Sequence, residues 1–362
     1  MAAITVDIVS RETVKPSTPT PPQLRSYKLS WIDQNHPIYH LPVVFFYSAT
    51  PSAAADVGIL KSSLSTGVDF FEARAADADL SEILSSDESD LNELKKFLPC
   101  SKGEASCCDS EPTVILSVQA TVFRCGGIAV GACVSHKIAD GRSLFLFLQA
   151  WAAAVRGSFS SENAPSFDSA AVFPPNENAV PYEAEQPPQV QKRFVLDGPK
   201  IAALREKMAS SATRFQAVMA LVWRCAVRAR PHARGGAGGG GGGHTVAVGA
   251  AVSERLLRQP LRSSCRRHSV RRVDGGGVRY EHLQQLAAAA GVRGGLRVGP
   301  AAWACTTQER PSAMAVLPRP PAAGDPQGME IWASLEKDEM AELKRELDKL
   351  VPLNPVHHVT QS

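Results

Sequence analysis

Apolar positions change their spacing along this chain, and the changes mark its elements. Thr5–Val14 and Val43–Tyr47 are rich in β-branched and aromatic residues and predict strands, with a proline-rich loop at Pro16–Pro22 between them. Helical spacing over Asp56–Ser65 and Glu88–Phe97 predicts two helices, separated by a strand at Val68–Arg74. Thr113–Phe123 and Gly127–Val134 read as a hairpin of core strands. Leu144, Phe147 or Leu148, Trp151 and Val155 then recur at helical spacing, which predicts a helix over Asp140–Arg156. Residues 157–190, rich in Pro, Ser and Asn, predict a crossover linker. Beyond it come a strand at Lys192–Leu196, helices at Pro199–Met208 and Ser211–Arg230, and a strand at Met329–Leu335. The last element is an amphipathic helix, Glu336–Leu350, apolar at Met340, Leu343, Leu347 and Leu350. Strands and helices mixed in this way predict an α/β protein, and 362 residues suffice for one large core or two domains.

The chemistry concentrates where the hairpin meets the long helix, at Ser135-His136-Lys137-Ile138-Ala139-Asp140-Gly141. Asp140 precedes the helix and Ser143 lies in its first turn, so Asp140 is placed to cap the free backbone donors. His136 therefore sits at a strand end on a turn fixed by a rigid helix, the kind of loop that carries catalytic side chains. On spacing alone, the commoner reading of such a histidine is a hydrogen-bonded structural residue. His136 and Asp140 have no third ligand nearby, which argues against a metal. No G-x-S-x-G elbow is present, which argues against a serine hydrolase.

His136-Lys137-Ile138-Ala139-Asp140-Gly141 resembles the His-x-x-x-Asp-Gly signature of the plant BAHD acyltransferases. Four further blocks fall in the order of that family: Ile8–Ser17 with Tyr27–Ser30, Val118–Gly127, Pro165–Ser169 and Gly328–Leu335. Together they look most like its vinorine synthase branch. The resemblance implies two chloramphenicol acetyltransferase-like domains around a channel, here residues 1–156 and 191–362 joined by the 157–190 crossover. It implies acyl-coenzyme A, with acetyl-coenzyme A as the expected donor, as a co-substrate rather than a permanently bound cofactor. The acceptor would be a hydroxyl or amine of a small plant metabolite, an alkaloid by analogy with that branch. His136 would be the general base, since an imidazole with a pKa of about 6.5 is largely unprotonated near neutrality. Asp140 would support the turn through an ion pair with an arginine, and Gly141 would let the backbone enter the helix. The cofactor-binding residues stay open.

Two regions depart from the family pattern. After Leu60–Ser65 the chain jumps from Thr66 to Gly67–Arg74, which resembles a strand lying well beyond that point, so a helix end and at least one strand are missing. From Met208 to Glu330 there are seventeen Arg against two Asp and four Glu, a net +11 in a chain whose total is +3. That stretch has no Lys, no Phe after Phe215 and no Ile, and it includes the run Gly235–Gly243. No Lys-Ser/Thr follows the run, so it is not a phosphate loop. Trp223, Tyr280 and Trp303 are too few aromatics for a single-strand nucleic-acid platform. The family's late Asp-Phe-Gly-Trp-Gly is replaced by Gly295-Leu296-Arg297-Val298-Gly299. One codon set for those five residues, GGA-CTT-CGG-GTG-GGG, read one nucleotide later gives Asp-Phe-Gly-Trp-Gly, so a reading-frame slip over part of residues 230–320 would account for the lost motif and the skewed composition together. Residues 230–325 are accordingly expected to be aberrant or disordered, and the second domain incomplete. The alternative function is a catalytically inactive relative or gene fragment.

Composition adds little more. A hydrophobic fraction of 44% with 21% charged residues is that of a globular protein. No apolar run reaches the length of a membrane span, and Met1–Asp7 has no basic region before an apolar core, so a cytoplasmic protein is expected. Eight cysteines form no C-x-x-C pair, which argues against a zinc cluster and for small core residues in a reducing compartment. The expected protein is a monomer with no nucleic-acid, membrane or metal partner.

Overall fold

The structure is a computed structural model that describes residues 4–15, 19, 22, 25–35, 40–64, 67–85, 91–99, 114–160, 167–178, 189–208, 212–229, 283–284, 301–305, 313–319 and 324–351. Cys107, Cys108, the glycine run and Gly295–Gly299 lie outside these, as does most of Pro16–Pro22. In chain order the elements are β1 (Asp7–Val14), α1 (Trp31–Asn35), β2 (His40–Tyr47), α2 (Ala53–Ser62), β3 (Val68–Ala75), α3 (Leu80–Ser85) and α4 (Leu91–Lys95). Then come β4 (Leu116–Phe123), β5 (Ile128–Ser135), α5 (Gly141–Val155) and α6 (Ser169–Val172). The second half holds β6 (Gln189–Leu196), α7 (Gly198–Glu206), α8 (Arg214–Ala229), β7 (Leu283–Gln284), β8 (Trp303–Cys305), β9 (Ala313–Pro318), β10 (Met329–Glu336) and α9 (Lys337–Leu350).

Two mixed sheets result. The first runs β1-β3-β4-β5-β2-β8, antiparallel except for the parallel pair β3/β4. The second runs β6-β10-β9-β7, with β7 parallel to β9. All eight residues of β2 and of β5 are buried, as their unbroken apolar runs require of central strands. The small residues of β5 have a specific use. A methyl on Gly131 would lie 2.1 Å from the Phe97 carbonyl oxygen, so only glycine lets the segment after α4 cross that strand.

β10 and β9 of the second sheet are buried on both faces, and their residues alternate accordingly. Met329, Ile331, Ala333 and Leu335 of β10, with Met314 and Val316 of β9, pack in a cluster with Val218, Leu221, Met340, Leu343 and Leu347 of α8 and α9. Trp332, Ala315 and Leu317 point the other way, into the cluster built on the first sheet. The polar positions of β10 on that opposite face include Glu330, which pairs with Arg193 of β6.

The helix over Glu336–Leu350 is present as read, with Met340, Leu343 and Leu347 buried. The described residues of 250–325 include short strands that join both sheets. Within them β8 joins the first sheet beside β2, and β9 joins the second beside β10, with Trp303, Cys305, Val316 and Leu317 buried. An arginine-rich average hid two short apolar segments that find partners far away in sequence. Cys133, Cys225 and Cys305 are buried as expected, whereas Cys125 is exposed at the turn before β5.

Candidate active site

His136 is the first residue past β5 and is 3% exposed. The strand end that carries it is tied into the sheet, because the Ser135 amide donates to the Ile115 carbonyl at 2.8 Å. The turn then closes on Ser135, whose carbonyl accepts from the amides of Ile138 (3.1 Å) and Ala139 (3.3 Å). Asp140 follows in extended conformation. Its Oδ1 accepts from the Ser143 amide at 2.7 Å and its carbonyl from Leu144 at 2.9 Å, which makes it the N-cap of α5. Leu144, Leu148, Trp151 and Val155 anchor that helix in the core, as their spacing predicts. Strand, turn and capped helix thus hold the backbone on both sides of His136.

The structure places His136, Asp140 and Gly141 within one turn of chain and assigns them different positions. Asp140 is exposed, and among the described residues no arginine guanidinium lies within ion-pair distance of it. Gly141 opens α5 in ordinary helical conformation. The left-handed glycines among the described residues are Gly126, Gly157 and Gly324, so the freedom expected of Gly141 is not used there. Asp140→Ala is expected to cost about 1 kcal/mol of stability through the lost cap, and Asp140→Asn only a few tenths, since Asn caps as well as Asp. Urea midpoints of the two variants check this; equal losses would mean that the charge matters rather than the cap.

Sequence spacing gave no hint of two further contacts at the turn. Lys137 Nζ donates to the Gln34 carbonyl of α1 at 3.0 Å, and burial holds this ammonium below its usual range, with Asp33 opposing. Gln34 Oε1 in turn accepts from the Asn176 amide at 2.8 Å, so α1 joins the turn to the linker. A capping box at Ser30 and Asp33 fixes the start of α1. On the other side, His40 of β2 stands opposite Ser135, and its Nε2 donates to the Val114 carbonyl at 2.6 Å. Among the described residues no group of three His, Cys, Asp or Glu side chains is arranged to hold a metal. No helix there is long and apolar enough to cross a membrane.

Comparison with known proteins gives this geometry a context. The chain is 31% identical over 293 residues to salutaridinol 7-O-acetyltransferase of Papaver somniferum, 64% of this chain and 60% of that protein. It is 36% identical over 256 residues to stemmadenine O-acetyltransferase of Catharanthus roseus, 60% of each. Vinorine synthase of Rauvolfia serpentina is 35% identical over 250 residues, 60% of this chain and 59% of that one. The chain thus spans about 60% of the length of the curated relatives it matches. The crystal structure of vinorine synthase matches with a TM-score of 0.68 at 27% identity, over 96% of this chain and 98% of the other. F. sporotrichioides TRI101, solved with coenzyme A and T-2, matches at 0.54 and 14% identity over 88% and 97% of the two chains, which shows a shared fold. The family model described as the Transferase family matches residues 4–66 and 65–255, two pieces that meet where the sequence jumps. Those pieces cover well over half of the 362 residues and include the whole His136 turn, and the protein therefore belongs to the Transferase family, the plant BAHD acyltransferases.

Proposed function

We propose that the chain is built to transfer an acyl group from acyl-coenzyme A to a hydroxyl, or an amine, of a small plant metabolite. The observation that carries this reading is the buried His136 on its Asp140-capped turn, inside the segment that the family model matches. Acetyl is the expected group and an alkaloid the expected acceptor class, because the relatives include acetyltransferases named for salutaridinol and stemmadenine. His136 takes the proton of the acceptor hydroxyl as its oxygen attacks the thioester carbonyl. The tetrahedral intermediate collapses, the carbon–sulfur bond breaks, and His136 returns the proton to the leaving thiolate. No acyl-enzyme is formed, so no nucleophilic Ser or Cys is needed. Asp140 and Gly141 serve the turn rather than the substrate. The 157–190 crossover joins an N-terminal domain, 1–156, to a C-terminal one, 191–362, and the protein works as a cytoplasmic monomer.

A second reading, an inactive relative, is favoured by a specific pair of observations. The family match breaks at residues 65–66, and Gly295–Gly299 stands where the family has Asp-Phe-Gly-Trp-Gly. Misplacing reacting groups by about an ångström costs roughly 10²-fold in rate. We therefore expect weak coenzyme A release from acetyl-coenzyme A with this chain, and at least that factor more from one with the reading frame restored over residues 230–320. Parallel assays against a panel of alcohols test both readings. Equal, substantial rates would show that the aberrant segment is tolerated, and no release from either chain would sink the acyltransfer reading.

A further inference from the structure

We propose that His40 is a positioning residue for the His136 turn, an inference that rests on the acyltransfer reading for its purpose but not for its geometry. β5 lies between β4 and β2, and the chain leaves the sheet at Ser135. His40, the first residue of β2, stands directly across from Ser135. Its ring reaches past β5 to the far side, where Nε2 meets the carbonyl of Val114 just ahead of β4 at 2.6 Å. A carbonyl only accepts, so Nε2 carries the hydrogen. The imidazole thus spans the outlet of β5 from one neighbouring strand to the other, one residue before His136. The bond next to it, from the Ser135 amide to the Ile115 carbonyl at 2.8 Å, closes the same end.

This end of the sheet has reason to need a clamp. β8 pairs with β2 over Val44–Phe46, and His40–Val43 forms the end of β2 beyond that span, paired with β5. Element ends are where native structure frays first. His40 is 4% exposed, so its ring is held by burial as well as by the bond. If the end of β5 frayed, the direction of the His136 side chain would be lost with it.

The test is amide hydrogen exchange on the full chain, because it reads the turn whether or not the chain turns over. His40→Leu keeps an apolar side chain of moderate size and removes the donor. Exchange at Ser135, Ile138, Ala139 and Leu144 should rise about tenfold, the effect of one lost buried hydrogen bond, while Ile331 in β10 keeps its rate. His40→Gln, whose amide can donate to the same carbonyl, should restore most of the protection. Unchanged exchange at the turn in His40→Leu overturns the proposal, and so does exchange in His40→Gln as fast as in His40→Leu. Should His40→Leu not fold, His40→Gln decides alone: protection near that of the parent chain supports the clamp, and a loosened turn with Ile331 protected overturns it. In the frame-restored chain, His40→Leu should lower kcat for coenzyme A release and leave KM for acetyl-coenzyme A within about twofold, the mark of lost positioning rather than lost binding. Failure of that chain to release coenzyme A at all would count against the acyltransfer reading and leave the exchange result standing.

Discussion

His136→Ala in the frame-restored chain should lower turnover by roughly 10²–10⁴-fold, the usual contribution of a positioned general acid–base group. The reason lies in the chemistry of the acceptor. An alcohol is a poor nucleophile until its proton is taken, and among the described residues at this turn His136 is the side chain suited to take it. The turn around His136 is held by backbone bonds from Ser135 and by the Asp140 cap. Melting should therefore change little while coenzyme A release collapses. KM for acetyl-coenzyme A should also hold, since a base acting in the transition state contributes little to ground-state binding. Near-parental turnover in the alanine variant would show that the proton goes elsewhere.

The second large effect concerns stability, at a place far from the turn in sequence. Arg193 and Glu330 form an ion pair between β6 and β10 whose side chains are only 5% and 0% exposed. The guanidinium lies over the rings of Trp303 at 5.3 Å and Trp332 at 5.5 Å, and Glu330 also accepts from Trp332 Nε1 at 3.0 Å. Burial pushes the Glu330 carboxyl above its usual range, and Arg193 beside it opposes that shift. Arginine keeps its charge in proteins, so removing the glutamate leaves a cation stranded among indoles. Glu330→Ala should cost about 3–5 kcal/mol, the range for breaking a buried pair from one side. Arg193→Met combined with Glu330→Leu should recover much of the loss, since a well-packed apolar pair replaces such bridges at little cost. Urea unfolding of the three chains settles the matter. A single variant that loses less than about 1 kcal/mol would mean that the site is hydrated and the pair weak, as exposed pairs are. Trp303 belongs to β8 in the first sheet and Trp332 to β10 in the second, so the same variant should loosen the joint between the two sheets.

Local readings of this protein held where local physics decides. The helix at Gly141–Val155 was legible because four apolar residues repeat at its period and Asp140 supplies the missing acceptor at its start. β5 was legible as an unbroken run of small and β-branched residues, and the last helix as a stripe of Met340, Leu343 and Leu347. Boundaries slipped where the signal thinned. The helix read from Asp56 begins at Ala53, and the strand read from Val43 begins at His40. That slip concealed His40, because a histidine ahead of Leu-Pro looks like loop until the opposite strand is known. A four-residue helix, α6, also sits unannounced in the proline-rich linker.

The sequence by itself therefore determined which segments are strand or helix, where the turn with His136 lies, and which family the chain resembles. Those properties follow from neighbours within about one turn or one strand, where periodicity and capping act. Only the tertiary structure decided that β8 and β9, a few residues apart, enter different sheets, because strand pairing depends on distant partners competing for the same edges. It alone decided that His40 faces Ser135, that Lys137 reaches α1, and that Arg193 meets Glu330 across a separation of 137 residues. Each of these contacts joins residues whose spacing carries no period. Their energy comes from burial that exists only once the sheets have closed.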